Sequence, residues 1–216
     1  MVERRRLELL LRPDPHAGPE GRYLVRSAYF DTPGDDFLRE NEDGTDPRAK
    51  YRLRIYNCED RFISLERKAK RSGMTHKDGV AVSRDLADQL LAGRIPAPPP
   101  DASPLLTRML VDMKLLGLQP KVLVQYVRTP FVLRLGNVRI TLDERICSSQ
   151  AVDRFYDREI PLRPVLADRQ GLLEVKWDQL LPDYLYHALQ LEGLQWTSFS
   201  KYYLCRLYNT TGGTAL

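Results

Sequence analysis

The chain has 216 residues, 43% of them hydrophobic, with a formal net charge of +4 at pH 7 and a pI near 9.0. That is enough apolar material for one substantial core and favours a single domain over two. The modest cationic excess fits an anionic partner without choosing among nucleic acid, phosphates and acidic membrane, no apolar run approaches the roughly 18 residues of a membrane span, and Cys58, Cys147 and Cys205 lack both metal-ligand spacing and a disulfide framework, which suits a reducing cytoplasm.

Met1 to Leu11 reads as a positively charged helix stopped by Pro13; Glu8 interrupts an apolar stretch too short for a signal peptide. A polar loop through Gly21 leads to a strand at Tyr23 to Phe30, closed by the turn residues Asp31-Thr32-Pro33-Gly34, with a short helix around Asp36 to Glu40. Lys50 to Tyr56 is a strand, joined through Asn57 to Asp60 as a hairpin to a second strand at Phe62 to Lys70. A basic loop from Lys68 to Lys77, holding His76, precedes a further short strand.

Ser83 can cap a helix that runs to Leu91 with Gly93 beyond it, and Pro96 to Pro100 is a stiff connection. Ser103 and Pro104 start a helix through Leu116. Strand character returns at Lys121 to Arg128, the Leu135-Gly136-Asn137 turn leads to a strand from Val138, and another strand holds Glu174. The pattern between Cys147 and Val165 supports no assignment. Helices at Pro182 to Glu192 and Ser198 to Tyr208 follow, and residues 210–216 read as a disordered tail after a single domain over residues 1–209.

The strands share one trait. Arg52 and Arg54 alternate with Tyr51, Leu53 and Ile55; Ser64, Glu66 and Lys68 alternate with Ile63, Leu65 and Ala69. Arg139, Thr141 and Asp143 alternate with Val138, Ile140 and Leu142, and Glu174 and Lys176 with Leu173, Val175 and Trp177. Helices packed on the apolar faces would turn the charged faces inward, toward one another. An antiparallel sheet with one wet face would explain any single strand of this kind, but with helices to be received outside, the expected architecture is α+β, a closed antiparallel β-barrel lined with ions. An interior richer in cations than acids is tolerable only when water or an anion fills it. At about 4 Å and an effective dielectric near 20, each cation–phosphate contact is worth roughly 4 kcal/mol before desolvation.

Six segments in order carry a family resemblance: RSAYFDTP (Arg26 to Pro33), KYRLRIY (Lys50 to Tyr56), SLERK (Ser64 to Lys68), VRITLDE (Val138 to Glu144), LLEVKWDQLLPDY (Leu172 to Tyr184) and SFSKYYLCR (Ser198 to Arg206). Together they resemble the VTC domain, the polyphosphate polymerase branch of the triphosphate tunnel metalloenzymes, or CYTH-like superfamily. The resemblance implies a tunnel of antiparallel strands and transfer of the γ-phosphate of ATP to a growing polyphosphate chain, with Mn²⁺ or Mg²⁺. Carried over motif by motif, it implies that Arg52, Arg54, Lys68, Arg128, Arg139 and Lys201 grip phosphate oxygens. Tyr126 and Ser200 would add hydroxyl donors, Glu174 would be the metal ligand, and Lys176 would neutralise charge beside it. Glu66 and Asp143 are carboxylates of second rank, which could equally pair an inward arginine and hold it in position.

Such chemistry asks little covalent work of the protein, since phosphoryl transfer is mainly alignment and charge neutralisation. No Walker sequence is present, so side chains would do the cradling. The family's first strand, with its R-x-E-x-K-like pattern, has no counterpart ahead of the opening helix. The expectation is thus a tunnel lacking its first strand, from a start upstream of Met1 or a shortened member. The expected function is a cytoplasmic polyphosphate polymerase using ATP and polyphosphate, with any membrane partner a separate chain. Its rivals are a triphosphatase of the same fold and a non-catalytic polyphosphate-binding module. Nucleic acid is disfavoured because the aromatics alternate into core faces.

Overall fold

A computed structural model of the chain describes residues 2–190 and 193–210. In chain order the elements are α1 (Val2–Leu10), β1 (Arg12–Pro13), β2 (Tyr23–Asp31), α2 (Asp36–Glu42), β3 (Arg48–Tyr56), β4 (Glu59–Arg71) and β5 (Met74–Val82). They continue with α3 (Arg84–Leu91), α4 (Pro104–Leu116), β6 (Gln119–Leu133), β7 (Val138–Ser149), β8 (Arg163–Pro164), β9 (Gly171–Lys176), α5 (Asp183–Ala188) and α6 (Lys201–Thr210). Among the described residues no helix is long and apolar enough to cross a membrane.

The strands pair in the order β5-β4-β3-β2-β6-β7-β8, with β1 added to β6 and β9 to β7. This path has two ends, so the expected closed barrel does not form: among the described residues β5 pairs with β4 alone, and β8 at the other end is two residues long. A period of two tells which face of a strand is polar. Whether the ends of a sheet meet depends on strand number, tilt and stagger, which that period does not carry.

By its internal contacts the chain groups into two compact units, here described each by itself. The first comprises Met1–Leu24, Tyr126–Ile146 and Leu166–Phe199; the second comprises Val25–Gln125, Cys147–Val165 and Ser200–Leu216. In the second unit Tyr51, Leu53 and Ile55 of β3 and Ile63 and Leu65 of β4 form a core with Ala87 and Leu90 of α3 and Met109 and Met113 of α4. Helices thus cover the apolar face, as the alternation demanded. The first unit repeats the scheme on a smaller scale: Leu7 of α1 and Leu185 of α5 pack with Phe131, Val138 and Ile140.

Local signals acted where they were strong. Ser83 and Ser103 cap α3 and α4, each hydroxyl accepting from the amide three residues on at 3.2 Å. The β3–β4 hairpin turns through Asn57 and Cys58, both at positive φ (53° and 58°). The stretch expected as a basic loop, Lys68 to Lys77, is instead a second hairpin. β4 runs to Arg71, β5 starts at Met74, and Ser72 (φ 51°) and Gly73 (φ 78°) make the turn. Asp46 secures it, accepting from the amides of Ser72 at 2.8 Å and Gly73 at 2.7 Å. Four charges in ten residues, Lys68, Lys70, Arg71 and Lys77, hid a strand pair whose two faces are both wet. The region between Cys147 and Val165 holds the end of β7, one 3₁₀ turn at Val152–Arg154 and β8. The C-terminal part of the expected Pro182 to Glu192 helix, at residues 191–192, and residues 211–216 of the tail expected from 210 lie outside the described residues, whereas Thr210 ends α6.

Candidate functional site

In the second unit the register stacks like upon like. Lys50 of β3 stands opposite Lys68 of β4, and Lys68 opposite Lys77 of β5. One pair along, Arg52 faces Glu66 and Glu66 faces Gly79; one further, Arg54 faces Ser64. Tyr29 and Ser27 of β2 complete the rows beside Arg52 and Arg54. Because side chains alternate across a strand, all of these lie on the face opposite the helix-covered core.

Glu66 is the shared carboxylate of this face. Its Oε2 accepts from Arg52 Nε at 2.9 Å and lies 3.3 Å from Lys77 Nζ, while Arg54 Nη1 is 3.7 Å from Oε1. Burial alone would raise the Glu66 pKa, but Arg54, Arg52 and Lys77 outweigh it and hold the carboxyl at about 2. Arg52 also donates through Nη1 to the Tyr29 hydroxyl at 2.7 Å, and Arg54 through Nε to Ser27 Oγ at 3.2 Å. Each guanidinium is therefore oriented by fixed partners. A concavity of about 240 Å³, lined by Phe62, Ser64, Glu66, Lys77 and Gly79 among others, opens beside the carboxylate.

The start of α6 joins the same face. Asp31, fully buried at the end of β2, accepts from the amides of Thr32 (2.8 Å), Phe37 (2.9 Å) and Leu38 (3.1 Å), so it caps α2, and it also accepts from the Tyr202 hydroxyl of α6. Tyr202 stacks on Tyr29 with ring centroids 5.0 Å apart. This anchorage fixes Ser200 and Lys201. Ser200 Oγ lies 3.0 Å from Lys50 Nζ, and Lys201 is close enough to lower the pKa of Tyr29, where burial is outweighed by Arg52, Arg54 and Lys201.

The remaining residues expected at the site lie in the first unit. Arg128 donates to Asp143 in a bidentate pair, Nε to Oδ1 and Nη2 to Oδ2, both at 2.7 Å. The pair raises the Arg128 pKa against the opposing effect of burial. Glu174 stands opposite Thr141 in the β7–β9 register, with Oε1 2.9 Å from Lys176 Nζ and Oε2 3.8 Å from Arg128 Nη2. Arg128 also lies 5.2 Å from the centre of the Tyr126 ring, and Tyr126 is buried. Arg139, opposite Lys176, is exposed and 3.4 Å from Asp14. In this unit, then, Arg128, Arg139 and Lys176 each have a carboxylate, whereas on the polar face of the second unit Glu66 serves several cations.

A resident metal does not fit these donors. Both oxygens of Glu174 face cations, and among the described residues no group of three His, Cys, Asp or Glu side chains comes together. A hard divalent ion accepts a single carboxylate when phosphate oxygens and water supply its other ligands. One carboxylate of this kind suits an ion that brings its other ligands with it.

Sequence reasoning passed over Lys50, Lys77 and Tyr29. Lys50 was within reach, since it precedes Arg52 by two residues and so shares its face. Lys77 falls in the stretch expected as a loop, and Tyr29 in the expected strand Tyr23 to Phe30, whose two faces the sequence does not distinguish. His76, noted among basic residues, lies opposite Ala69 and so on the other face of β5 from Lys77.

Compared with known proteins, residues 4–208 match the family model described as the VTC domain. No curated protein matches in sequence. Among solved structures, a Bacillus halodurans protein bearing a provisional adenylate cyclase name is similar at 16% identity, covering 68% of this chain and 67% of that one, with a TM-score of 0.45. A protein from Pyrococcus horikoshii is similar at 12% identity over 86% of this chain and 77% of that one, with a TM-score of 0.44.

Proposed function

Because this chain belongs to the VTC domain family, we propose that it binds the phosphate chain of inorganic polyphosphate or of a nucleoside triphosphate on the polar face of β2 to β5. The observation that carries the reading is the cross-strand row of Lys50, Lys68 and Lys77 beside Arg52 and Arg54, with Glu66 shared among Arg52, Arg54 and Lys77. Like charges directly opposite one another destabilise a sheet, and an extended polyanion relieves a row of them better than a compact one. Two rings of this face, Tyr29 and Tyr202, are buried and offer the bases of a nucleic acid no platform to stack on.

Turnover is a further step on the same binding. The family resemblance supports transfer of the ATP γ-phosphoryl group to polyphosphate; hydrolysis of a triphosphate and retention without reaction are the alternatives. In any of them the arginines bind phosphate oxygens as forks and the lysines act as point charges. In a reacting complex Glu174 would contribute one carboxylate to a Mn²⁺ or Mg²⁺ ion carried by the substrate.

Calorimetric titration with tripolyphosphate at neutral pH tests the reading. Binding should be strongly salt-dependent and weaken at least about tenfold in Arg52→Ala, the loss of a charge-assisted contact. Failure of the native chain to bind would overturn it. Electrophoresis of products formed from ATP and Mn²⁺ then separates the outcomes. Long chains plus ADP mark a polymerase, phosphate released from tripolyphosphate marks a hydrolase, and binding without product marks a binding module. Glu174→Ala should remove either turnover and leave binding in place.

A further inference from the structure

Lys50 closes the β3 end of the lysine row. Its Nζ donates to the Asn41 side-chain oxygen of α2 and to Ser200 Oγ, and it lies 5.6 Å from the centre of the Tyr202 ring. Those partners are all uncharged. The charged groups near it are Arg48 and Arg52 on its own strand and Lys68 across from it on β4. On α6, Lys201 faces Tyr29, and the Asp31 carboxylate is engaged by the α2 amides and Tyr202. Among the described residues no carboxylate pairs with Lys50.

Ser200 is set to act with it. The serine oxygen accepts from Lys50 and, at 3.3 Å, from the amide of Tyr203. With both lone pairs engaged, its hydroxyl hydrogen remains to donate outward. An ammonium and a hydroxyl donor are thus held together at one end of the cationic rows.

We propose that Lys50 is a further phosphate-binding residue and that it takes up a proton when a phosphate chain binds. The proposal rests on the reading of this face as a phosphate-chain site. Burial first, then repulsion from Lys68, Arg48 and Arg52, pushes the Lys50 amine down to about 8. A phosphate oxygen beside it reverses the repulsion and favours the charged form. Linkage then sets the sign: binding raises the pKa of Lys50, so affinity is full below its free value and falls as pH rises through that value. Lys77 is also lowered, by burial and by Arg52 and Arg54 against the pull of Glu66, so the effect of Lys50 has to be isolated by substitution.

The experiment is calorimetric titration of tripolyphosphate at pH about 8.5 in two buffers of different ionisation enthalpy, with wild type, Lys50→Arg and Lys50→Met. An amine of pKa about 8 is about three quarters neutral there, so wild type should take up about that fraction of a proton more than Lys50→Arg does. Lys50→Arg, always charged, should bind tighter than wild type at this pH, and Lys50→Met should bind at least about tenfold weaker than wild type at neutral pH. Equal proton uptake by wild type and Lys50→Arg would overturn the proposal while leaving the phosphate site standing. Absence of binding to wild type would remove both. Should Lys50→Met not fold, the comparison of wild type with Lys50→Arg decides alone.

Discussion

Replacing Glu66 with glutamine keeps the shape of the side chain and removes the one charge that Arg52, Arg54 and Lys77 share. The side chain is 7% exposed, so solvent screens it little. Its carboxyl is held at about 2 against an ordinary 4.5, and at about 1.4 kcal/mol per pH unit this corresponds to about 3 kcal/mol of preference for the ion in the folded state. Because the folded value is the lower one, that contribution is complete above about pH 4.5 and disappears as pH falls toward about 2. Glu66→Gln should therefore unfold about 3 kcal/mol more easily at neutral pH, and its deficit relative to wild type should close on acidification through that window. Urea unfolding followed by circular dichroism is the assay. Tryptophan fluorescence is the wrong probe, since Trp177 and Trp196 both belong to the other unit. A neutral-pH difference below about 1 kcal/mol, or a deficit that persists unchanged to about pH 2, would falsify the account of Glu66 as the electrostatic centre of this face.

Asp143→Ala should cost about 3 kcal/mol in the same unfolding assay, the low end for a broken buried pair, because Glu174 remains 3.8 Å from the stranded Arg128 guanidinium. A change near zero would show that water reaches Arg128 freely. Gly136→Ala is expected to destabilise by more than about 2 kcal/mol, since φ there is +70° and an added Cβ would stand 2.0 Å from the carbonyl oxygen of Leu180. Gly79→Ala provides the contrast: its Cβ would meet Glu66 and Ser64 only at ordinary contact distance, 3.8 Å, so thermal unfolding should move little.

Much of the site was legible in the order of residues because strands impose a two-residue period. Arg52, Arg54 and Glu66 share a face in the structure for the reason they share parity in the chain, and Glu174 and Lys176 likewise. Where the signal was a balance of weak preferences, it failed. Lys68 to Lys77 looks like a loop because its charges mask any apolar period, yet Ser72 and Gly73 at positive φ close a tight turn there. Asp31 reads as a turn residue, and its buried carboxylate proves to cap α2 and receive Tyr202 from the far end of the chain.

The sequence by itself determined which strands would be antiparallel and two-faced, where Ser83 and Ser103 would start helices, and which family the chain resembles. These are properties of neighbours along the chain, and local sterics and amphipathic period suffice to specify them. Only the tertiary structure decided that among the described residues β5 finds no second strand and the sheet stays open, that Lys50, Lys68 and Lys77 come into register, and that Ser200 reaches Lys50 across 150 positions. Each depends on how distant segments stagger and pack, and no local period encodes that distance.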